Sequence, residues 1–197
     1  ILTGVPPQAS GVRTNRHYTP VAIDSLMDRA RAVGLRTAST SDASPLPALF
    51  LRPVDPTQID AVDAVDIDVM LEAEDEDVPP MPEIELRSPF TDGRYTPWPG
   101  GLVDAVRVQL ATGYELQVIL ISMVDNAGHA EGADSDEYAA AVQVADRTLA
   151  RVLPVVDLTQ DAIVITADHG HTGPGGHGGL EPEVVNVPLV MVGAGVR

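Results

Sequence analysis

The stretch from Leu116 to Thr166 constrains the fold more than any other part of the chain, because it reads as strand, helix, strand. Leu116 to Val124 forms the first strand, and its apolar run Val118 to Val124 suits a parallel strand buried on both faces. Asp134 to Leu153 reads as an amphipathic helix: Tyr138, Ala141, Val142, Ala145, Leu149 and Val152 share one face, Asp134 and Glu137 have capping-box spacing, and Pro154 stops it. Ala162 to Thr166 is the second buried strand. Such a crossover is right-handed and makes its two strands parallel, so their carboxyl ends fall on one edge of the sheet. That edge is where open α/β sheets bind ligands.

Asp125-Asn126-Ala127-Gly128-His129 follows the first strand, Asp168-His169-Gly170 follows the second, and Gly175-Gly176-His177-Gly178-Gly179 comes shortly after. The chain has no cysteine, which excludes disulfides, thiolate metal sites and a cysteine nucleophile. Carboxylate with imidazole is a ligand set that suits zinc, and two Asp-His pairs plus a further His exceed what one tetrahedral ion needs. The expectation is a two-metal hydrolytic centre, in which cations about 4 Å apart stabilise both the attacking and the leaving oxygen.

The remainder fits an α/β rhythm. Ile1 to Thr3 reads as the end of a helix, with Gly4 beyond it and Pro6-Pro7 barring continuation. Val21 to Val33 reads as an amphipathic helix stopped by Gly34, Leu35 to Thr40 as a strand, and Leu102 to Ala111 as a helix after the Pro99-Gly100-Gly101 break. Between them the character shifts: twelve of the 29 acidic residues lie between Asp55 and Glu85. The spacing lacks the alternation and central glycine of a calcium loop, so this segment is expected to be a solvated insertion whose start, Val65 to Leu71, has the alternation of an edge strand. The net charge of -17, with no lysine, argues against a nucleic-acid partner, because binding phosphate backbones requires clustered basic residues. No apolar run reaches the length of a membrane span.

The order of these motifs, together with Thr3-Gly4-Val5-Pro6-Pro7, Gly11-Val12 and Asn15, resembles the alkaline phosphatase superfamily, in particular its nucleotide pyrophosphatase/phosphodiesterase-like branch. The resemblance implies an α/β three-layer sandwich with a mostly parallel sheet flanked by helices. Residues 1–197 would form a single, partial catalytic domain, with 55–99 as an acidic, proline-rich insertion. It implies two divalent ions, zinc first with manganese or magnesium as alternatives. Asp125, His129 and His177 would bind one ion, and Asp168 with His169 the other. The nucleophilic Thr or Ser, and a further Asp ligand, would fall upstream of Ile1.

Asn15 matches a position whose amide donates to a phosphate oxygen, although Thr14-Asn15-Arg16 is also an ordinary turn sequence. Arg13 and Arg16 are either substrate contacts or solvated loop residues, and His17 is read as structural. His171 is either a structural residue or an outer partner hydrogen-bonded to a ligand or substrate.

The implied activity is metal-dependent phosphoric ester hydrolysis through a covalent phospho-enzyme. The substrate would be a small-molecule or lipid-linked phosphate ester. Any membrane attachment would lie outside this chain, and an extracytoplasmic or membrane-associated location is implied. Phosphoethanolamine-type phosphotransfer, to which His177-Gly178-Gly179 followed by Val187-Pro188-Leu189 is also similar, and sulfatase activity are alternatives within the superfamily. A non-catalytic metal-binding scaffold is the alternative outside it.

Overall fold

The computed structural model describes residues 2–11, 21–41, 90–91, 94–95 and 101–196. Arg13, Asn15, Arg16, His17 and the expected strand from Val65 to Leu71 lie outside the described residues. The chain divides into two compact units, Ile1–Leu120 and Ile121–Arg197.

In the first unit, helix α1 (Pro7–Ser10) begins where the sequence suggests that helix must stop. Pro7 occupies the first helical position, where a missing N–H leaves no hydrogen bond unmade and the fixed φ of proline suits the helix. Helix α2 (Leu26–Ala32) starts later than Val21 because Ser25 and Asp28 close a capping box. The Ser25 hydroxyl accepts from the Asp28 amide at 3.2 Å, and the Asp28 carboxylate accepts from the Ser25 amide at 2.9 Å. Arg31 adds an ion pair to Asp28 at 2.7 Å.

Strand β1 (Thr37–Ser41) pairs in parallel with β4 (Leu116–Leu120), with Thr37 opposite Leu116 and Ser41 opposite Leu120. On its other side β1 pairs antiparallel with β2 (Phe90–Thr91), which pairs with β3 (Arg94–Tyr95), giving the order β3-β2-β1-β4. Helix α3 (Leu102–Ala111) and α2 pack on β1. Met27, Ala38, Leu102, Val103, Ala105 and Val106 are buried and form this unit's core. Each fully buried Met or Leu contributes roughly 1.5–3 kcal/mol.

Arg36 fastens the turn between α3 and β4 to the start of β1. Its guanidinium donates to the Thr112 carbonyl at 2.8 Å and lies 3.9 Å above the Tyr114 ring centroid.

The second unit contains α4 (Met123–Glu131), α5 (Asp136–Val152), a 3-10 turn (Leu153–Val155), β5 (Ala162–Thr166), α6 (Pro182–Val185) and β6 (Leu189–Gly193). Helices α4 and α5 pack together. The cap of α5 is Ser135, one residue beyond the expected Asp134, and its hydroxyl accepts from the Tyr138 amide at 3.0 Å and donates to the Gly132 carbonyl at 2.7 Å. The Asp134 carboxylate is turned instead against Gly173.

Strand β5 was expected to be buried and parallel. It pairs antiparallel with β6, from Ala162 opposite Gly193 to Thr166 opposite Leu189. Its side chains alternate between half-buried and exposed, and Val164 is 56% exposed. The partner is the apolar run Leu189 to Val192, which the reading from sequence left out. Helices together with the parallel β1–β4 pair place the chain in the α/β class. Among the described residues, no helix is long and apolar enough to cross a membrane.

Candidate metal centre

The cluster-bearing residues all lie in the second unit, and among the described residues β4 and β5 are hydrogen-bonded into separate sheets. Strand β4 stops at Leu120, and the expected strand residues Met123 and Val124 open α4 instead. Asp125 and His129 therefore stand four residues apart on one helix, the spacing that puts two side chains on the same face. Ala127, Gly128, Ala130 and Glu131 lie in this helical stretch, whose buried positions, Ala127 and Gly128, are adjacent.

His169, His171 and His177 come from the loop after β5. Thr172 closes a tight turn between His171 and His177: its hydroxyl donates to the Gly175 carbonyl at 2.7 Å, and its amide donates to the Gly176 carbonyl at 3.1 Å. The turn is held to the end of α4 by the Ala133 amide, which donates to the Thr172 carbonyl at 3.2 Å. At Gly132, with φ of +85°, the chain passes so close to the Gly173 carbonyl that a side chain would collide with it.

Four imidazoles surround one carboxylate oxygen. From Asp125 Oδ1 the Nε2 atoms stand 3.3 Å away for His171, 3.4 Å for His177, 3.6 Å for His129 and 3.8 Å for His169. His129 Nε2 and His177 Nε2 are 3.0 Å apart. One ligand atom each from Asp125, His129, His171 and His177 fall within 4.8 Å of one another, so this quartet could hold a metal ion. Four ligands at zinc distances of about 2.0–2.1 Å in a tetrahedron are separated by about 3.3–3.4 Å. The observed separations bracket that value.

Asp125 Oδ1 and His171 Nε2 are buried and make no hydrogen bond. A carboxylate oxygen and imidazole lone pairs facing a common point repel one another, and buried polar atoms without partners are costly. A cation at that point satisfies all of them, so the donor set fits a divalent metal. Burial lowers the pKa of His171 below its ordinary value, with the neighbouring histidines acting in the same direction and Asp125 opposing. Burial and the adjacent His169 lower that of His177, again against Asp125. Both rings are thus biased toward the neutral form that ligates metal.

The second expected pair is arranged differently. His169 stacks on His177 with ring centroids 3.6 Å apart, and its Nε2 lies 3.7 Å from Asp168 Oδ2. His169 Nδ1 lies 3.1 Å from the Gly170 carbonyl, which can only accept, so a proton on Nδ1 makes this a hydrogen bond, while Nε2 faces Asp125 and Asp168. The Asp168 side chain is 70% exposed.

His171, given only an outer or structural role from sequence, stands inside the quartet, with 3% of its side chain exposed. The available signal was its place two residues past His169. What seats it, contact with Gly128 across the unit, is not a local pattern.

The metalloenzyme superfamily description matches residues 99–197, and the chain belongs to that superfamily. It is also 36% identical over 79 residues to the GPI ethanolamine phosphate transferase 1 of Yarrowia lipolytica. That match covers 38% of this chain and 8% of the relative, so the chain spans a small part of that protein's length.

Proposed function

We propose that this chain carries the metal-binding part of an enzyme that cleaves phosphoric esters, with a phosphodiester as substrate. The observation that carries the reading is the convergence of Asp125 Oδ1 with the ring nitrogens of His129, His171 and His177. Asp125, His129 and His177 would hold one divalent ion and Asp168 with His169 a second, zinc being the ion that imidazole and carboxylate suit. Such ions supply charge neutralisation at the phosphoryl oxygens and at the attacking and leaving oxygens.

The chain's own residues do the positioning. Helix α4 fixes the Asp125-His129 spacing, and the Thr172 turn sets His177 beside it. Hydrogen bonding to Gly170 holds His169 in the ligating tautomer. Asn15 is assigned the role of donor to a phosphoryl oxygen. In this reading the residues belong to a three-layer catalytic domain whose attacking group is a Thr or Ser hydroxyl.

One observation favours a second reading, in which the acceptor is an alcohol rather than water: the likeness to an ethanolamine phosphate transferase. The two readings share the site and differ in the acceptor. The test is cleavage of a nitrophenyl phosphodiester by the zinc-loaded protein carrying these residues, with and without an alcohol acceptor. Turnover abolished by chelation and by Asp125→Asn is expected. Product divided toward the alcohol ester would select the transferase reading, and faster cleavage of a sulfate ester would replace both with sulfatase activity. Absence of cleavage with metal bound would favour a scaffold role.

A further inference from the structure

We propose that His171 is a fourth inner ligand that closes the Asp125-His129-His177 site into a three-histidine, one-carboxylate shell, and that Gly128 is the residue that lets it enter. The inference rests on the metal-dependent reading above and deepens it.

Three observations converge on His171. Its side chain is almost fully buried, its Nε2 has no hydrogen-bond partner, and that atom lies 3.3 Å from the equally unpartnered Asp125 Oδ1. A buried neutral imidazole in an outer role would donate to or accept from a ligand or a backbone group, as His169 does. His171 Nε2 instead faces the point the other three ligands face.

The ring reaches that position only because α4 has no side chain beneath it. A β-carbon at Gly128 would sit 2.6 Å from His171 Cδ2, 2.7 Å from Cγ and 2.8 Å from Nε2. All three contacts are with the ring itself, in an approach that real side chains do not make. The Gly128 position, one residue before the ligand His129, thus acts on the metal site through His171.

Four protein ligands fill a tetrahedral shell, the arrangement of closed zinc sites, whereas sites with three keep an open position. Three imidazoles with a single carboxylate also disfavour magnesium and calcium, which require mostly oxygen ligands. The resting site is therefore selective for zinc-class ions and holds no open position at rest, so that in the metal-dependent reading a substrate oxygen would bind by expanding the shell to five ligands.

Cobalt and zinc binding to the whole chain test this. Wild type is expected to give the intense visible absorption of tetrahedral Co2+, unchanged by azide, with no competition from millimolar Mg2+. His171→Gln and Gly128→Ala are each expected to weaken Zn2+ by more than about 100-fold, beyond the 10–100-fold that loss of an outer partner costs. Both should also make the cobalt spectrum respond to azide. Circular dichroism identifies any variant that is unfolded, and either variant alone suffices. Wild-type affinity and an unchanged spectrum in folded His171→Gln would overturn the proposal while leaving the metal reading intact. Wild-type affinity in His129→Ala and His177→Ala as well would overturn the metal reading itself.

Discussion

His129 Nε2 on helix α4 and His177 Nε2 on the loop beyond β5 lie 3.0 Å apart, although 48 residues separate them in the chain. Two neutral imidazoles at that distance share at most one proton, and each also faces Asp125 Oδ1. The contact has the spacing of two ligands facing one ion, which is the role the metal-dependent proposal gives it. His129→Ala and His177→Ala are each expected to lower zinc affinity by at least about 100-fold, because each removes an inner ligand. His169→Ala should leave the tight site within about 10-fold of wild type, since its ring stacks on His177 without belonging to the quartet. Zinc retained after dialysis against a weak chelator measures all three. Equal loss in His169→Ala and His129→Ala would contradict unequal sites.

The metal-free protein should lose stability in mild acid. His171 and His177 have pKa values below the ordinary 6.5 in the folded chain, while the unfolded chain titrates near that value. Between the lowered folded values and 6.5 the unfolded state binds more protons, so stability falls as pH drops through that window and is flat above it. Melting temperatures in the presence of chelator, compared at about pH 7.5 and about pH 5.5, should show the decrease. His171→Gln should flatten it. An unchanged slope in that variant would place the titration elsewhere.

In the first unit, Ser25→Ala should cost about 1 kcal/mol through loss of the α2 cap. Asp28 responds to pH with the opposite sign to the histidines. Burial tends to raise its pKa, but the Ser25 amide, the Arg31 side chain and the Ser25 hydroxyl together outweigh this and leave it below 3.8. Its contribution is present above that value and disappears as pH falls through the folded pKa. Denaturation of Asp28→Asn should thus show a deficit at neutral pH that shrinks in strong acid. A deficit of constant size would mean that the carboxylate's charge is irrelevant to the cap.

Elements whose pattern is local were legible in the chain. Helix α3 spans the expected Leu102–Ala111, and α5 lies within the expected stretch, shortened because Ser135 takes the cap while Asp134 faces Gly173. Asp125 and His129 were recognisable as metal-site candidates from residue type and spacing, but the apolar run before them concealed a change from strand to helix after Leu120. The antiparallel partner of β5 was missed because an isolated apolar run does not specify its neighbour. His171 was undervalued for a related reason. Its burial depends on a glycine 43 positions earlier, so no pattern around His171 itself distinguishes an inner ligand from an outer one.

The turn at Thr172 tests how strictly the loop must be held. Its hydroxyl bond to the Gly175 carbonyl, at 2.7 Å, connects the backbone just after His171 with the backbone just before His177. Thr172→Val keeps the shape and the β-branch but removes the donor, leaving a half-buried carbonyl without that partner. The net loss of about 0.5–1.5 kcal/mol, if it falls on the arrangement that binds metal, corresponds to roughly 2–10-fold in zinc affinity. Thr172→Ser keeps the donor and should restore most of it. Calorimetric titration of the three proteins with zinc separates the hydroxyl's role from that of side-chain bulk. A serine variant as weak as the valine variant would show that packing of the methyl group, not the hydrogen bond, sets the position of His177.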